Sequence, residues 1–549
     1  VRYFTNYVNV NWQLPKLRFI CLFGRGSLDP KKNSTGSVYY KNLVPVYGNP
    51  NADGYFGNFN FGTFFYYPQV AIGRLPAYSE AEAQAMVDKI IAYESQPFEN
   101  WNKNFTFITN GSTPSEQNSH QVKSNFECAV YVTSPPVSGF CTKIYRNDTS
   151  GGITYNYADS IVKDFDEGTI FVNYRGHAGS HDWEVMMQDP NVLNNGSKLP
   201  LVISLTCFTG ETAKPDFRAF LEKFIYLPNK GAIGTIGTTG WSFGTNGNDF
   251  GSYLLQTFKI DTTRIIGDMV KFAGKSMSRD SLSFSIRHTI NGYTLTGDPA
   301  VTLKYPKTAD FKITQADYKL EPKTVTLSTP ASLTIKPYNL GMHADSVKIR
   351  FQLVKNNFNY SFKDTVIKAF TIDREITHNF RIDTIGIYSM NVILDVDNRF
   401  PLENPNDNTI QIDIPLLESS FIPIRPADNS VIFKDSVQFV ILNPNFDYGQ
   451  SSVNIYAEMD TSKYFNSPVK KTFTNLNIKG GSTIFNTSVP VLNNNTLYYW
   501  RSRSIINSDT SGWSQSNNFI YNNGIGFDSP KMRPNQENLP VVISKSNKD

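Results

Sequence analysis

Short apolar runs alternate with amphipathic segments over the first 305 residues. A 3.6-residue period after Ser79 predicts a helix over 80–95, and a second helix is expected over 217–225. The expected strands lie at 17–23, 105–109, 169–174, 201–205 and 232–236. This alternation predicts a mainly parallel sheet with helices on both faces.

After residue 305 the pattern changes to short alternating strands separated by Asn, Asp, Pro and Gly turns. One immunoglobulin-like sandwich is expected from strands at 332–336, 346–353, 387–395 and 409–415. A second, fibronectin type III-like sandwich begins with strands at 436–442, 453–458 and 497–504. The expected division is an α/β domain over 1–305 with an incomplete N-terminus, β-sandwiches over 306–416 and 417–523, and a flexible tail over 524–549.

Composition narrows the class of protein. The 52 Lys and Arg residues nearly balance the 48 Asp and Glu residues, without long like-charged runs, so the electrostatic footprint of a nucleic-acid partner is lacking. No apolar run is long enough for a membrane span, and no signal peptide opens the chain. Because the chain begins at Val1 without an initiating Met, we expect a fragment or a processed form. The low charge content of 18% and the strand-rich pattern predict a secreted or cell-surface protein.

The four cysteines lie in different settings. Cys128 and Cys141 bracket a Pro-containing loop and are expected to form a disulfide in a secreted protein. Cys21 lies within an apolar run and is expected to be an inert core thiol. Cys207 is left over, at the end of a strand and before a Gly-containing turn. It is therefore a candidate reactive thiol.

His177 is the candidate base for this thiol. It follows the predicted strand over 169–174, as Cys207 follows the strand over 201–205. In parallel sheets, reactive groups collect beyond the carboxyl ends of the strands. A thiol becomes a good nucleophile when a neighbouring base converts it to thiolate, so the pair indicates a thiol-dependent hydrolase. His181, beside Asp182, is a rival base.

Several motifs carry a resemblance to a known family. The chain resembles the gingipain family of cysteine peptidases in Asn-Tyr-Arg-Gly-His at 173–177, in the strand-then-Cys segment 200–210, in Gly-Ala-Ile-Gly-Thr-Ile at 231–236 followed by Trp241, and in Leu-Thr-Gly-Asp-Pro-Ala at 295–300. The similarity covers about residues 1 to 305. Upstream, the segments 22–27 and 72–76 are most similar to the branch that contains the type IX secretion signal peptidase.

The resemblance implies a caspase-like fold for the α/β domain and hydrolysis of peptide bonds through a thioacyl-enzyme. It implies Cys207 as nucleophile and His177 as general base. Backbone N–H groups of Gly176 and Ala178 are expected to bind the oxyanion. The chemistry requires no metal and no cofactor.

The group that orients the imidazole departs from the family pattern. Asn110 stands where gingipains carry an acidic residue, and an Asn can still accept the imidazole N–H. Glu116 is the nearest acidic alternative, and it is also the candidate carboxylate of the substrate pocket for an Arg or Lys side chain. Trp241 is expected either to form an aromatic wall of that pocket or simply to pack.

Two classes of function remain open from the sequence. The first is a secreted or cell-surface cysteine endopeptidase acting on protein or peptide substrates. Within this class, it either processes carboxy-terminal signals of type IX secreted proteins, with secretion or outer-membrane components as partners, or degrades proteins in general. The second is a catalytically weak or inactive, peptidase-like protein that acts as a surface docking or adhesion component, which Asn110 favours. The Asn- and Asp-rich loop over 49–57 reads as solvated turns rather than as a calcium site.

Overall fold

The structure is a computed structural model of the 549-residue chain. It describes residues 1–59, 67–147, 157–260, 264–280, 283–305, 307–323, 325–326, 329–384, 387–400, 405–417, 421–433, 436–443, 453–478, 482–488, 492–506, 509–510 and 513–522. The expected flexible tail over 524–549 lies outside these residues.

An eight-stranded mixed sheet forms the centre of the first part of the chain. Its strands are β1 (Phe19–Phe23), β2 (Ala71–Leu75), β3 (Asn104–Thr109), β4 (Phe140–Tyr145), β5 (Phe171–Arg175), β6 (Leu201–Leu205), β7 (Gly234–Thr238) and β8 (Tyr293–Gly297). They are ordered β1-β2-β8-β7-β6-β5-β3-β4, and only the pair β7–β8 is antiparallel. The prediction of a mainly parallel sheet is confirmed.

Helices cover both faces of this sheet. They are α1 (Arg2–Asn11), α2 (Glu80–Ser95), α3 (Pro114–Glu127), α4 (Tyr157–Glu167), α5 (Phe220–Tyr226), α6 (Gly244–Lys259), α7 (Ile266–Asp280) and α8 (Phe284–Gly292). Alternate strand residues point to opposite faces. In β6, Leu201 and Ile203 belong to one core with residues of α6 and α7, whereas Val202 belongs to a second core with residues of α4 and α5. The α/β fold class expected from the sequence is thereby confirmed.

Small, mostly antiparallel sheets make up the rest of the described chain. The first group of strands is β9 (Phe311–Lys312), β10 (Tyr318–Glu321), β11 (Val325–Thr326), β12 (Pro330–Ile335), β13 (Tyr338–Asn339), β14 (Ala344–Lys355), β15 (Phe358–Phe370), β16 (Ile376–Arg381), β17 (Tyr388–Ile393), β18 (Thr409–Ile414) and β19 (Leu416–Leu417). The second group is β20 (Ile422–Arg425), β21 (Ser430–Ile432), β22 (Ser436–Leu442), β23 (Val453–Asp460), β24 (Lys471–Ile478), β25 (Ser482–Ser488), β26 (Thr496–Ile506), β27 (Asp509–Thr510) and β28 (Asn517–Tyr521). Each group has its own apolar core, as immunoglobulin-like sandwiches require.

The best-defined sequence signals coincide with the observed elements. Helix α2 spans the residues predicted, and the Ser79 hydroxyl accepts a hydrogen bond from the Glu82 N–H as an N-cap. The strand expected over 232–236 is shifted to Gly234–Thr238. Helix α6 is not predicted from its Gly- and Asn-rich first turns. It is stabilised by buried residues that include Phe250 and Leu254.

The cysteines confirm one expectation and correct another. Cys128 and Cys141 are joined by a disulfide. Cys21, expected in the core, is exposed. The reason is the position of β1 at the edge of the sheet, where Leu22 packs inward and its neighbour Cys21 points away. Within the described residues, no helix has the length and apolar character needed to cross a bilayer.

Candidate active site

The sheet brings the two candidate reacting groups to the same edge. Strands β5 and β6 are parallel neighbours, and Arg175 pairs with Leu205 at their carboxyl ends. His177 and Cys207 each lie two residues beyond this last pair. The topology therefore places the imidazole and the thiol on adjacent loops, as the sequence predicts.

The loop that carries Cys207 is fixed mainly by backbone hydrogen bonds. The N–H of Phe208 donates to the Gly240 carbonyl at 2.9 Å and to the Thr238 hydroxyl at 3.1 Å. The same hydroxyl donates to the Thr206 carbonyl at 2.7 Å. Phe208 has a φ of 61°, a left-handed conformation that is rare for a bulky residue. A strained residue held directly after a nucleophile is typical of a built active site.

The Cys207 sulfur is partly buried and lies against the chain that follows β7. The backbone N–H of Ser242 points at Sγ, with a nitrogen–sulfur distance of 3.3 Å. An N–H donor favours the charged form of the group it faces. The sulfur also lies 3.9 Å from the Ser242 carbonyl oxygen, so both contacts of Cys207 are with the backbone of one residue.

The ring of His177 is oriented by Glu116. The distance from Nε2 to the Glu116 Oε1 is 2.7 Å, and Ser112 donates its N–H to Oε2 at 2.8 Å. Partial burial raises the pKa of the Glu116 carboxyl, but the Ser112 N–H and the neighbouring His177 outweigh it and hold the pKa below its usual range. Glu116 is therefore a carboxylate at neutral pH. Nε2 is therefore the ring nitrogen that contacts Glu116, and Nδ1 is the other ring nitrogen.

Two contacts fix the backbone around His177. The buried Tyr174 donates its hydroxyl proton to the His177 carbonyl, and its ring stacks on Trp183 with centroids 4.4 Å apart. Gly176 has a φ of 153°, and a Cβ there would lie 2.5 Å from the Asn110 Cβ. The close approach of the two strand ends thus requires glycine at this position.

The structure does not place Asn110 in the role expected from the sequence. Its Oδ1 accepts from the Gly111 N–H at 2.7 Å and from Arg146 at 2.9 Å. Its Nδ2 donates to Glu184 at 3.1 Å and to the Tyr174 hydroxyl at 3.3 Å. Asn110 is thus a buried structural residue beneath the loop. The physical reason is its position directly after β3, where the side chain meets the base of the loops rather than the imidazole.

Backbone donors for an oxyanion are present near both reacting groups. The N–H groups of Gly176, Ala178 and Cys207 have no hydrogen-bond acceptor in the part of the chain that the structure describes. By contrast, the Phe208 N–H already has acceptors. The N–H groups of Gly176, Ala178 and Cys207 can therefore donate hydrogen bonds to a developing negative charge.

The residues expected to form the substrate pocket have different surroundings. Trp241 has 67% of its surface exposed, and its ring meets the Phe208 ring edge-on at 4.9 Å. Trp241 is therefore not packed in the core, and its place in a substrate pocket stays a prediction. Glu116, the candidate carboxylate for an Arg or Lys side chain, already bonds His177 and Ser112. Its geometry does not support that second role.

The other histidines of this region have separate contacts. His181 packs on Phe217 with ring centroids 4.3 Å apart. Nδ1 of His120 lies 2.7 Å from the Asn110 carbonyl, and burial lowers the pKa of this histidine. Within the described residues, no group of three or more His, Cys, Asp or Glu side chains is arranged to hold a metal ion.

Sequence reasoning missed two groups that touch the reacting residues. Ser242 acts through its backbone N–H, which leaves no signature in residue type. Tyr174 was placed in a strand motif without a role of its own. For Glu116, the pattern Thr113-Pro114-Ser115-Glu116 is a helix-start signal, and the Thr113 hydroxyl indeed accepts from the Glu116 N–H. That signal places an acidic residue at the edge of the sheet.

One protein family and several solved structures are similar to this chain. The model of peptidase family C25 matches residues 1–304. Among solved structures, the Arg-specific cysteine proteinase gingipain R (RgpB) matches at 15% identity over 76% of this chain and 87% of its own, with a TM-score of 0.45. The complex of the Porphyromonas gingivalis RgpB pro- and mature domains matches at 15% identity over 76% of this chain and 89% of its own, also with a TM-score of 0.45.

A shorter likeness involves about a fifth of the chain. The CARDB domain of the PF1109 protein from Pyrococcus furiosus matches at 22% identity over 20% of this chain and 89% of its own, with a TM-score of 0.17. No curated protein matches. Because the structural likenesses are weak, the assignment rests on the family model, which spans more than half of the chain. The chain belongs to peptidase family C25, the gingipain family of cysteine peptidases.

Proposed function

We propose that the protein is an active cysteine endopeptidase in which Cys207 is the nucleophile, His177 the general base and Glu116 the group that orients the imidazole. The observation that carries the proposal is the 2.7 Å contact between His177 Nε2 and Glu116 Oε1, at the same sheet edge as Cys207. A thiol, a base and an orienting third group are the parts that nucleophilic catalysis requires.

The reaction follows from these roles. His177 takes the proton of the Cys207 thiol, and the thiolate attacks the carbonyl carbon of the scissile peptide bond. Backbone N–H groups of Cys207, Gly176 and Ala178 stabilise the oxyanion. The imidazolium then gives its proton to the leaving amine, and a thioester to Cys207 remains. Water attacks this thioester with His177 again as base, which releases the carboxylic acid and restores the thiol.

The charge of Glu116 contributes in the steps where His177 is cationic. A carboxylate within hydrogen-bond distance stabilises the imidazolium and holds the ring at Nε2, which leaves Nδ1 to exchange the proton with the thiol in this proposal. Since Glu116 is ionised at neutral pH, this stabilisation is present there. It is lost in acid, when the carboxylate takes a proton.

The proposed setting is outside the cell. The Cys128–Cys141 disulfide fits an oxidising compartment, and the β-sandwiches fit a spacer or docking role at the cell surface. Within this setting, the motifs at 22–27 and 72–76 favour processing of carboxy-terminal signals of type IX secreted proteins, with secretion or outer-membrane components as partners. In that case an amine can replace water in the second half-reaction and a new peptide bond forms.

A peptide-cleavage assay with product masses tests the proposal. We expect the wild-type chain to cleave a mixed peptide library, and Cys207→Ala and His177→Ala to lower the rate by roughly a hundredfold or more. Products that gain the mass of an added amine indicate aminolysis, whereas products that gain only water indicate hydrolysis. Equal, negligible rates for the wild-type chain and both variants contradict the proposal and favour the docking function. Asn110 no longer speaks for that alternative, because Glu116 supplies the acidic partner.

A further inference from the structure

One peptide group links a histidine of helix α8 to the sulfur of Cys207. Nε2 of His288 lies 2.8 Å from the Trp241 carbonyl oxygen. The next atom group along the chain, the Ser242 N–H, donates to Cys207 Sγ at 3.3 Å. The Trp241 carbonyl and the Ser242 N–H are the two ends of a single planar peptide unit. A contact at the carbonyl therefore sets the direction of the N–H.

The hydrogen-bond partner of His288 determines which of its ring nitrogens carries a hydrogen. A carbonyl oxygen can only accept, so Nε2 of His288 carries a hydrogen in this contact. Donation to the carbonyl polarises the peptide unit and makes its N–H a stronger donor, since linked hydrogen bonds reinforce one another. The donor at the far end faces the sulfur of Cys207.

The ring of His288 is held in place by aromatic neighbours. Phe243 meets it edge-on with centroids 5.3 Å apart, and Phe284 lies at 6.0 Å. His288 belongs to α8, whose first turn is capped by the Ser283 hydroxyl. The position of Nε2 is therefore set by an ordered helix and by packing on two sides.

A second anchor holds the other side of the same segment. The Ser242 hydroxyl lies 3.0 Å from the hydroxyl of Tyr293, and the buried Tyr293 ring stacks on Phe250 at 4.7 Å. Gly247 leaves room for this pair, because a Cβ there would lie 2.7 Å from the Tyr293 hydroxyl oxygen. The segment facing Cys207 is thus fixed at both the Trp241 carbonyl and the Ser242 side chain.

We propose that His288 is a positioning residue that holds the Trp241–Ser242 peptide so that its N–H stabilises the thiolate of Cys207. This inference rests on the proposed function, since it concerns the same nucleophile. His288 does not touch the reacting atoms and acts only through the peptide unit. Its role differs from that of His177, which exchanges the proton itself.

Three variants separate donation from packing. His288→Phe keeps an aromatic ring between Phe243 and Phe284 but removes the donor. His288→Gln restores an N–H donor at a similar distance from the backbone. His181→Phe is the matched control, because His181 also packs on an aromatic ring but contacts Phe217 rather than this peptide.

The experiment measures the rate of Cys207 alkylation by iodoacetamide against pH in the full chain, with peptide mapping to separate Cys207 from Cys21. We expect His288→Phe to label Cys207 roughly tenfold more slowly near pH 6 and to move the midpoint of the profile to higher pH. His288→Gln is expected to recover most of the rate, and His181→Phe to match the wild type. Thermal unfolding checks that each variant keeps its fold. The far-ultraviolet absorbance of the thiolate checks that the change in labelling rate follows the change in thiolate population.

The outcomes are distinguishable. If the wild-type profile depends on His177 but His288→Phe labels like the wild type, the inference about His288 is wrong and the proposed peptidase stands. The inference is also overturned if His288→Gln labels as slowly as His288→Phe, because donation then has no part. If even wild-type Cys207 labels like an ordinary free thiol, both the proposed function and this inference fail.

Discussion

The two loops that carry the reacting groups are held in different ways. The loop of Cys207 is bound to the segment after β7 through backbone groups, including Phe208 N–H to Gly240 and Gly210 N–H to the Thr238 carbonyl at 2.8 Å. The loop of His177 depends on side chains, namely the Glu116 carboxylate and the Tyr174 hydroxyl. The loop of Cys207 is thus held mainly by main-chain groups, and the loop of His177 by side chains.

This difference indicates where substitutions should act. A backbone hydrogen bond survives a change of side chain, whereas a side-chain contact is removed by a single substitution. His177 is also more exposed than its partner Glu116, with 47% of its side chain exposed against 30%. We expect substitutions on the histidine side to lower catalysis more than substitutions of similar size on the cysteine side.

Substitution of Glu116 by Gln is expected to have the largest effect of the three changes below. Gln keeps an acceptor for His177 but loses the charge that stabilises the imidazolium, so kcat/KM should fall roughly tenfold to a hundredfold. Steady-state cleavage of a peptide substrate measures this fall. The matched control is Glu80→Gln, since Glu80 also lies in the first turn of a helix, α2, and is exposed.

A Glu116→Gln enzyme as fast as the wild type would remove Glu116 from the proposed mechanism. The comparison of the two loops would then lose its main support on the histidine side. A fall in kcat/KM for the Glu80 control of the same size would mean that the effect is general rather than local.

Tyr174→Phe tests the same loop, and we expect a smaller fall in kcat/KM than for Glu116→Gln. It removes the hydroxyl that donates to the His177 carbonyl and keeps the ring stacked on Trp183. The same hydroxyl accepts from Asn110 Nδ2, so two hydrogen bonds are lost. We expect kcat/KM to fall about threefold and the free energy of unfolding to fall by about 1–2 kcal/mol. Peptide cleavage and denaturant unfolding give the two values. Tyr145→Phe is the control, since its hydroxyl bonds Asn125 away from the reacting groups.

The smallest effect is expected on the cysteine side, for Thr238→Val. This substitution keeps the shape of the side chain but removes the hydroxyl that bonds Thr206 and Phe208. The Phe208 N–H still donates to the Gly240 carbonyl, so kcat/KM should change less than about threefold. The free energy of unfolding should fall by about 1 kcal/mol. A loss of activity larger than that of Tyr174→Phe contradicts the idea that this loop is held mainly by the main chain.

The sequence predicts the strands that carry the site because their apolar runs are continuous. A parallel strand that is buried on both faces has no polar alternation to obscure it, and β6 coincides with the predicted residues. The position of Cys207 and His177 beyond such strands follows from the sheet topology alone. This part of the site can therefore be predicted without knowledge of side-chain contacts.

The identity of the orienting residue is harder to predict. Asn110 follows β3 directly and so aligns with the family pattern, but the chain turns at Thr113 and the first turn of α3 carries Glu116 back to the imidazole. Such a return depends on loop geometry, which a linear pattern does not contain. The Ser242 N–H is harder still, because a backbone donor is present in every non-proline residue.

Tertiary structure also explains why helix α6 is not predicted and why the prediction of a buried Cys21 is wrong. The first turns of α6 contain Gly and Asn and have weak helix propensity, so the helix depends on packing of its later residues. Cys21 lies in an apolar run, but the run forms an edge strand with one face uncovered. Local pattern cannot report which neighbours a strand will have.

The most direct test of the central claim is the alkylation rate of Cys207 by iodoacetamide as a function of pH, compared between the wild-type chain and His177→Ala. Cys21 is an internal reference in the same sample. Although the residue is exposed overall, desolvation of its thiol, together with the Asp298 carboxylate, raises its pKa above the ordinary value. Peptide mapping separates the two labelled sites.

We predict fast labelling of Cys207 at or below neutral pH, slowed roughly tenfold or more by His177→Ala, with Cys21 nearly unlabelled in both proteins. Two results together would contradict the account. Labelling of Cys207 would rise only at a pH of ~8.5, the pKa of an ordinary thiol, and His177→Ala would leave the labelling unchanged. The chain would then be a member of the peptidase family without an activated nucleophile.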